Sequence, residues 1–228
     1  MAFVNREEAG RQLAEALRFL HREPDPLILA IPRGGIVVGY QVARTLDLPL
    51  DLFLVRKIGA PFNPELALGA VTVMGDVVVD EALVRDLGVR WDYLEQEIAR
   101  QREALARRAT LYRGDRPLPT LEGRTLVLVD DGAATGSTML AGLQALRQQK
   151  PAQLIAALPV ASDIAIARLK EAADRVVCLL VPELFWAVGA YYLDFEQVSD
   201  EEVIRLLDEA WRRDEVRSSG GPDDNADR

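Results

Sequence analysis

Cysteine and histidine are almost missing from this chain of 228 residues, which has one of each, Cys178 and His21. A single cysteine excludes an internal disulfide and a cysteine metal cluster. A single histidine, near the end of an expected surface helix and far from every motif below, excludes a Ser-His-Asp triad and a His-ligated metal centre. No apolar run nears the roughly 20 residues that a membrane-spanning helix needs. The start MAFVNREEAG carries acids and no apolar h-region, so no secretory leader is expected. A cytoplasmic location follows as the default. Positive charge is scarce as well: 27 Lys and Arg stand against 36 Asp and Glu, and Lys occurs only at 57, 150 and 170. Nucleic-acid binding needs phosphate-neutralising charge concentrated on one face, so neither nucleic acid nor membrane is expected as a partner. What remains for chemistry is carboxylates, arginines, a few lysines, hydroxyls and backbone N–H groups.

Apolar residues make up 49% of the chain, enough for one sizeable core. Asn5-Arg6-Glu7-Glu8 opens a helix of the capping-box kind, with an apolar stripe at Ala9, Leu13, Ala16, Leu17 and Leu20. Short apolar runs follow at Leu27–Ile31, Leu52–Val55, Thr125–Val129, Leu154–Val160 and Val176–Val181. Runs of this kind suit strands buried on both faces. Helical stretches at Ile36–Leu46, Ser137–Gln148 and Ile164–Ala172 lie between them. The alternation predicts an α/β fold, a mainly parallel open sheet with helices on both faces.

Residues 73–123 break this rhythm and read as an insertion. Val71–Val73 and Val77–Val79 form the arms of a hairpin, and a charged helix follows over Trp91–Leu111. Its length and surface-like charge suggest a flexible lid. Its Arg107, Arg108, Tyr112 and Arg113 are expected mostly on a surface ion-pair face. Ser199-Asp200-Glu201-Glu202 caps a last helix through Trp211, and the acidic tail 214–228 reads as disordered. A single domain over 1–213 is expected, with a small hood built from about 1–24 and 182–213.

The strongest motif runs from Thr125 to Met139, TLVLVDDGAATGSTM. A buried strand ends in two acids, and a small-residue loop then opens a helix with Thr, Gly, Ser and Thr. Free N–H groups at a helix start can hold a phosphate, and small residues let the backbone approach it. The paired carboxylates can accept hydrogen bonds from vicinal hydroxyls. No Lys precedes the Ser or Thr, so this is not a Walker A loop, and no GxGxxG fingerprint is present. Two more segments stand at expected strand ends. Ile31-Pro32-Arg33-Gly34-Gly35 can present successive N–H groups to an anion, and Val55-Arg56-Lys57 carries two cations. Asn63-Pro64-Glu65 is read as a turn and helix cap.

Val127–Met139 resembles the signature loop of type I phosphoribosyltransferases, which bind 5-phosphoribosyl-1-pyrophosphate (PRPP). The likeness extends over about Pro24 to Trp211. It resembles most a branch of predicted phosphoribosyltransferases with PRGG, RKIGAPxNPE and VDDGxATG blocks. The resemblance implies that Asp130 and Asp131 hold the ribose 2′- and 3′-hydroxyls, and that Ala134, Thr135, Gly136, Ser137 and Thr138 hold the 5-phosphate. It further implies Arg33, Gly34, Gly35, Arg56 and Lys57 at the pyrophosphate, and Phe185 and Trp186 in a hood at the base. The implied reaction is Mg²⁺-dependent transfer of phosphoribosyl to a nucleobase-like acceptor with release of pyrophosphate, and Asp130, Asp131, Lys57 and Arg33 carry it. Mg²⁺ would be held mainly by PRPP, with Asp130 or Asp131 as its protein contact. A homodimer is a candidate assembly. The alternative is a non-catalytic PRPP- or nucleotide-sensing regulator on the same fold. One departure stands out: where 6-oxopurine enzymes place an Asp that meets the purine N7, this chain has Ala134, so purine specificity does not carry over.

Overall fold

The computed structural model describes residues 3–219. Its centre is a five-stranded parallel sheet of β1 (Pro26–Ala30), β2 (Leu50–Leu52), β6 (Thr125–Val129), β7 (Gln153–Val160) and β8 (Arg175–Leu180), in the order β2-β1-β6-β7-β8. Alternate residues of the inner strands point to opposite faces, as a strand's period of two requires. Ile28, Val127, Val129 and Ile155 join one apolar cluster, while Leu29, Leu126, Leu128 and Leu154 join the other. Helices α1 (Arg6–Ala16), α2 (Gly34–Leu46) and α7 (Asp200–Ser219) cover the first face. Helices α5 (Ser137–Gln148) and α6 (Asp163–Ala172) cover the second. The expected open parallel sheet with helices on both faces is the fold observed.

The excursion after β2 is larger than the sequence suggests. The expected strand at Leu52–Val55 splits, because β2 ends at Leu52 and Phe53 and Leu54 are buried outside any strand. Val55 then begins β3 (Val55–Ala60), which turns back into β4 (Asn63–Thr72) and β5 (Val77–Val79) as a separate antiparallel sheet. The predicted hairpin is present, with Val71 opposite Val77. Asn63-Pro64-Glu65 is the start of β4, not a turn and helix cap: β3 supplies hydrogen-bonding partners that local sequence cannot reveal. After a short α3 (Glu81–Asp86) comes α4 (Trp91–Arg113), whose Leu94 and Leu105 are buried in the same cluster as Ile58, Leu68 and Val71. Tyr112 and Arg113 are buried as well, so they leave the expected surface face. Arg113 meets the buried Asp51 carboxylate, and its guanidinium faces the Trp211 ring.

The two chain ends meet. Phe3 N–H donates to the Tyr191 carbonyl, and the Leu193 and Asp194 N–H groups donate back to the carbonyls of Phe3 and Val4. The tail is not irregular from residue 214, as α7 continues through Ser219. Ion pairs from Glu215 to Arg116 and from Arg217 to Asp214 suit that helical turn. The rest of the acidic tail lies outside the described residues.

Candidate functional site

The strand order reverses direction between β1 and β6, since β2 lies outside β1 while β7 and β8 extend beyond β6. In open α/β sheets the loops at the carboxyl ends of strands diverge at such a point and leave a crevice. Ile31 to Arg33 follow β1 and lead into α2 at Gly34 and Gly35, and the loop after β6 holds Asp130 to Gly136. The Pro32–Arg33 peptide is cis. The contact between the two loops is close. A Cβ on Gly34 would lie 1.8 Å from Asp131 Oδ2, and one on Gly35 would lie 2.9 Å from the Val129 carbonyl oxygen. At Gly35 backbone blocks a Cβ, whereas at Gly34 a Cβ would displace the Asp131 carboxylate.

Each loop opens a helix, and neither helix has a side-chain cap. Helices α1, α3 and α6 are capped by Asn5, Asp80 and Ser162, whose oxygens accept a backbone N–H of the first turn. Such caps occupy donors that the first turn otherwise leaves open. At α2 and α5 the cap positions are Arg33 and Gly136, which cap no first-turn N–H, as is true of Arg90 at α4; at α5 the Thr135 hydroxyl accepts the Ser137 N–H at 3.4 Å. Gly136 is left-handed at φ 71°, and a Cβ there would lie 3.2 Å from that of Ala165. Thr135 and Ser137 hydroxyls lie 3.0 Å apart at the mouth of α5, and Arg168 donates to the Thr135 carbonyl. Two helix starts with open donors and partial positive charge thus face the same crevice.

The acid pair sits between them. Burial and the neighbouring Asp131 charge push the Asp130 carboxyl well above its usual range. Asp130 Oδ1 accepts the Asp131 N–H at 2.8 Å. Asp131 Oδ2 accepts from Arg6 Nε at 2.7 Å, and its carbonyl accepts the Tyr192 hydroxyl at 2.6 Å. Burial and the acids nearby raise the Tyr192 phenol pKa, which keeps it a donor. Neither Arg6 nor Tyr192 was recognised from sequence, because each reaches the pair from a distant end of the chain.

A cleft of about 370 Å³ opens beside these loops, lined by Pro32, Arg56, Lys57, Arg100, Arg108 and Thr138 among others. Arg56 and Lys57 were expected at the end of a parallel strand. They lie inside β3, which reaches the cleft from the antiparallel sheet. Burial, then the nearby Arg108 and Arg100, lowers the Arg56 pKa, the sign of crowded positive charge. Within the wall, Glu97 accepts from Arg100 and Gln101, and Gln101 accepts from Arg56. Arg100 was missed in the sequence, and Arg108, expected mostly on a surface ion-pair face, lines this cleft. They stand eight residues apart, about two turns of α4, a spacing that shares one helix face.

The remaining candidates scatter. Arg33 points towards α7, with Nη1 3.7 Å from Asp200 Oδ1. Asp200 also accepts from the Tyr112 hydroxyl. Phe185 packs on the Tyr191 ring at 5.5 Å, while Trp186 is 83% exposed. Ala134 is exposed, and its carbonyl accepts from Ser162 Oγ. A second cavity of about 590 Å³ lies between β4, β5 and α5 and reaches Thr135, Ser137 and Arg168. Among the described residues no helix is long and apolar enough to cross a membrane, and no group of three or more His, Cys, Asp or Glu is placed to hold a metal ion.

Comparison with known proteins agrees with this geometry. Residues 3–196 match the phosphoribosyl transferase domain. Two curated proteins of Mycobacterium tuberculosis, strains CDC 1551 and H37Rv, are each 42% identical over 210 residues, or 92% of this chain. Both are named "Putative phosphoribosyl transferase", and the chain spans about half of their length, 47%. The crystal structure of TT1426 from Thermus thermophilus is 50% identical with a TM-score of 0.84, over 92% of this chain and 99% of that one. With the crevice at the switch point and the acid pair before an open helix start, the match over most of the chain shows that this protein belongs to the phosphoribosyl transferase family.

Proposed function

We propose that the chain binds PRPP in the crevice between β1 and β6 and transfers its phosphoribosyl group to a nucleobase-like acceptor. The observation that carries this reading is the pair of uncapped helix starts on either side of Asp130 and Asp131, next to a cleft walled by cations. The start of α5, with Thr135, Ser137 and Thr138, suits a phosphate monoester. Asp130 and Asp131 suit the ribose hydroxyls. The start of α2 at Gly34 and Gly35 together with Arg56, Lys57, Arg100 and Arg108 suits the diphosphate, and Arg33 borders the same loop. During transfer the bond from ribose C1 to the diphosphate oxygen breaks and a bond from C1 to an acceptor nitrogen forms. Negative charge then collects on the leaving diphosphate, where fixed cations in a partly enclosed cleft are most effective. The residues act mainly by positioning and by electrostatics, which accords with a chain that has one His and one Cys.

The donor set also fits magnesium. That ion sheds water reluctantly and is commonly held by one or two carboxylates plus substrate phosphates. Asp130 and Asp131 are the carboxylates that would hold it. When bound, it supplies charge neutralisation on the diphosphate.

The experiment is a panel of adenine, hypoxanthine, guanine and pyrimidine acceptors with Mg-PRPP, read as pyrophosphate release. Release with at least one acceptor is expected, and no strong preference for 6-oxopurines, because Ala134 offers no side-chain hydrogen-bonding group. Tight PRPP binding without release across a broad panel would favour the sensing role instead.

A further inference from the structure

Arg6 has no part in the reaction as described, yet it is held with unusual care. It is the first residue of α1 and lies 125 positions before Asp131 in sequence. Its Nε donates to Asp131 Oδ2 at 2.7 Å, and one terminal nitrogen donates to the Glu196 carbonyl at 2.8 Å. The Phe195 ring lies under its guanidinium, 3.7 Å from ring centroid to the guanidinium carbon. The Arg6 and Asp131 side chains are only 11% and 15% exposed. A guanidinium fixed by a ring face, a carbonyl and a carboxylate has a defined plane, unlike one arm of an exposed ion pair.

The backbone at Asp131 is already secured without Arg6. Tyr192 donates to its carbonyl, and its own N–H donates to Asp130. What Arg6 adds falls on the carboxylate. Gly34 stands close to the same oxygen, at a place where no Cβ would fit. Arg6 is thus the hydrogen-bonding partner of Oδ2, and the space on the Gly34 side admits no side chain without displacing it.

We propose that Arg6 is a positioning residue for the ribose site, fixing the Asp131 carboxylate so that its other oxygen is presented to the sugar hydroxyls. The inference rests on the PRPP reading above. On this account Arg6 touches no ligand atom and acts through Asp131.

The test is calorimetry on the full chain with three probes: Mg-PRPP, ribose 5-phosphate and inorganic pyrophosphate with magnesium. Arg6→Gln removes the charge and keeps a polar side chain, and Arg6→Lys returns the charge. Arg6→Gln is expected to weaken both sugar ligands by roughly ten- to a hundredfold, the scale of a misplaced binding group. Pyrophosphate affinity should stay as in the wild type, and Arg6→Lys should recover part of the sugar affinity. If Arg6→Gln does not fold, Phe195→Leu removes the ring beneath the guanidinium and should give a smaller loss with the same selectivity. Sugar binding equal to wild type in a folded variant overturns the inference. So does a parallel loss of pyrophosphate, which would mark a merely architectural pin. A wild-type protein that binds neither sugar ligand overturns the PRPP reading and this one with it, a result told apart by the unsubstituted chain alone.

Discussion

At the scale of single residues, the site depends on where a side chain is absent as much as on where one is present. Gly35 is an example, since a methyl group there would press on the Val129 carbonyl and the Asp130 backbone. Neither can yield without moving the strand end. Gly35→Ala is therefore expected to lower unfolding free energy by about 1–3 kcal/mol, as overpacking does, and to weaken PRPP binding together with stability. Denaturant melts and calorimetry on the same sample check both. Cys178 offers a test by pH. Burial pushes its thiol up to about 11, and Sγ lies 3.2 Å from the Leu180 carbonyl oxygen. Since the thiolate is the reactive form, alkylation of the native protein at pH 8 should run roughly a hundredfold or more below a free cysteine. The rate should rise about tenfold per pH unit up to that value. Fast modification at pH 8 would show an accessible, activated thiol. Local chemistry was legible at this scale where one short segment contains all of it. Asp130, Asp131 and the Thr135–Thr138 loop were readable because strand end, acids and helix start adjoin in sequence. Arg6 and Tyr192 were not, because the tertiary fold alone brings both chain ends to Asp131.

At the scale of elements, legibility followed periodicity. The strands β1, β6 and β7 were recognisable as apolar runs, and α5 was found at its observed limits, because each carries one uninterrupted pattern. The β3–β4 pair was not recognised: its register passes through an irregularity between Ile58 and Ala60, and Gly and Pro interrupt any alternation. The same oversight placed Arg56 and Lys57 on the wrong kind of strand. Helix α4 was recognised as a helix, but its role as a wall of the cationic cleft depends on which face β3 and β4 cover. If α4 moves on ligand binding, as the lid expectation holds, hydrogen exchange with Mg-PRPP should show protection gained over residues 97–108. Equal exchange with and without ligand would make it a fixed wall. At the other end of the chain, Trp211 of α7 is buried, with Arg116 and Arg113 over its ring at 4.3 and 5.5 Å. Trp211→Ala should cost roughly 3–5 kcal/mol, the range for deleting a buried large aromatic. A loss below about 1 kcal/mol by denaturant titration, the scale of an ordinary surface change, would show that α7 is not an integral part of the core.

At the scale of the whole molecule, three parts of the chain converge on one crevice. The parallel sheet supplies two uncapped helix starts and the acid pair at its switch point. The antiparallel sheet and α4 bring cations to one side, and the joined chain ends bring Arg6 and Tyr192 to the other. The candidate site is therefore assembled from segments distant in sequence, in a chain with one histidine and one cysteine. The central claim is that this crevice recognises a phosphoribosyl diphosphate through Asp130 and the start of α5. Calorimetry with Mg-PRPP on the wild type, Asp130→Ala and Thr138→Ala tests it most directly. Saturable binding by the wild type is expected, weakened by roughly tenfold or more in each variant, the scale of a lost hydrogen bond to a charged group. Unchanged affinity in both folded variants, or no binding by the wild type, would contradict it.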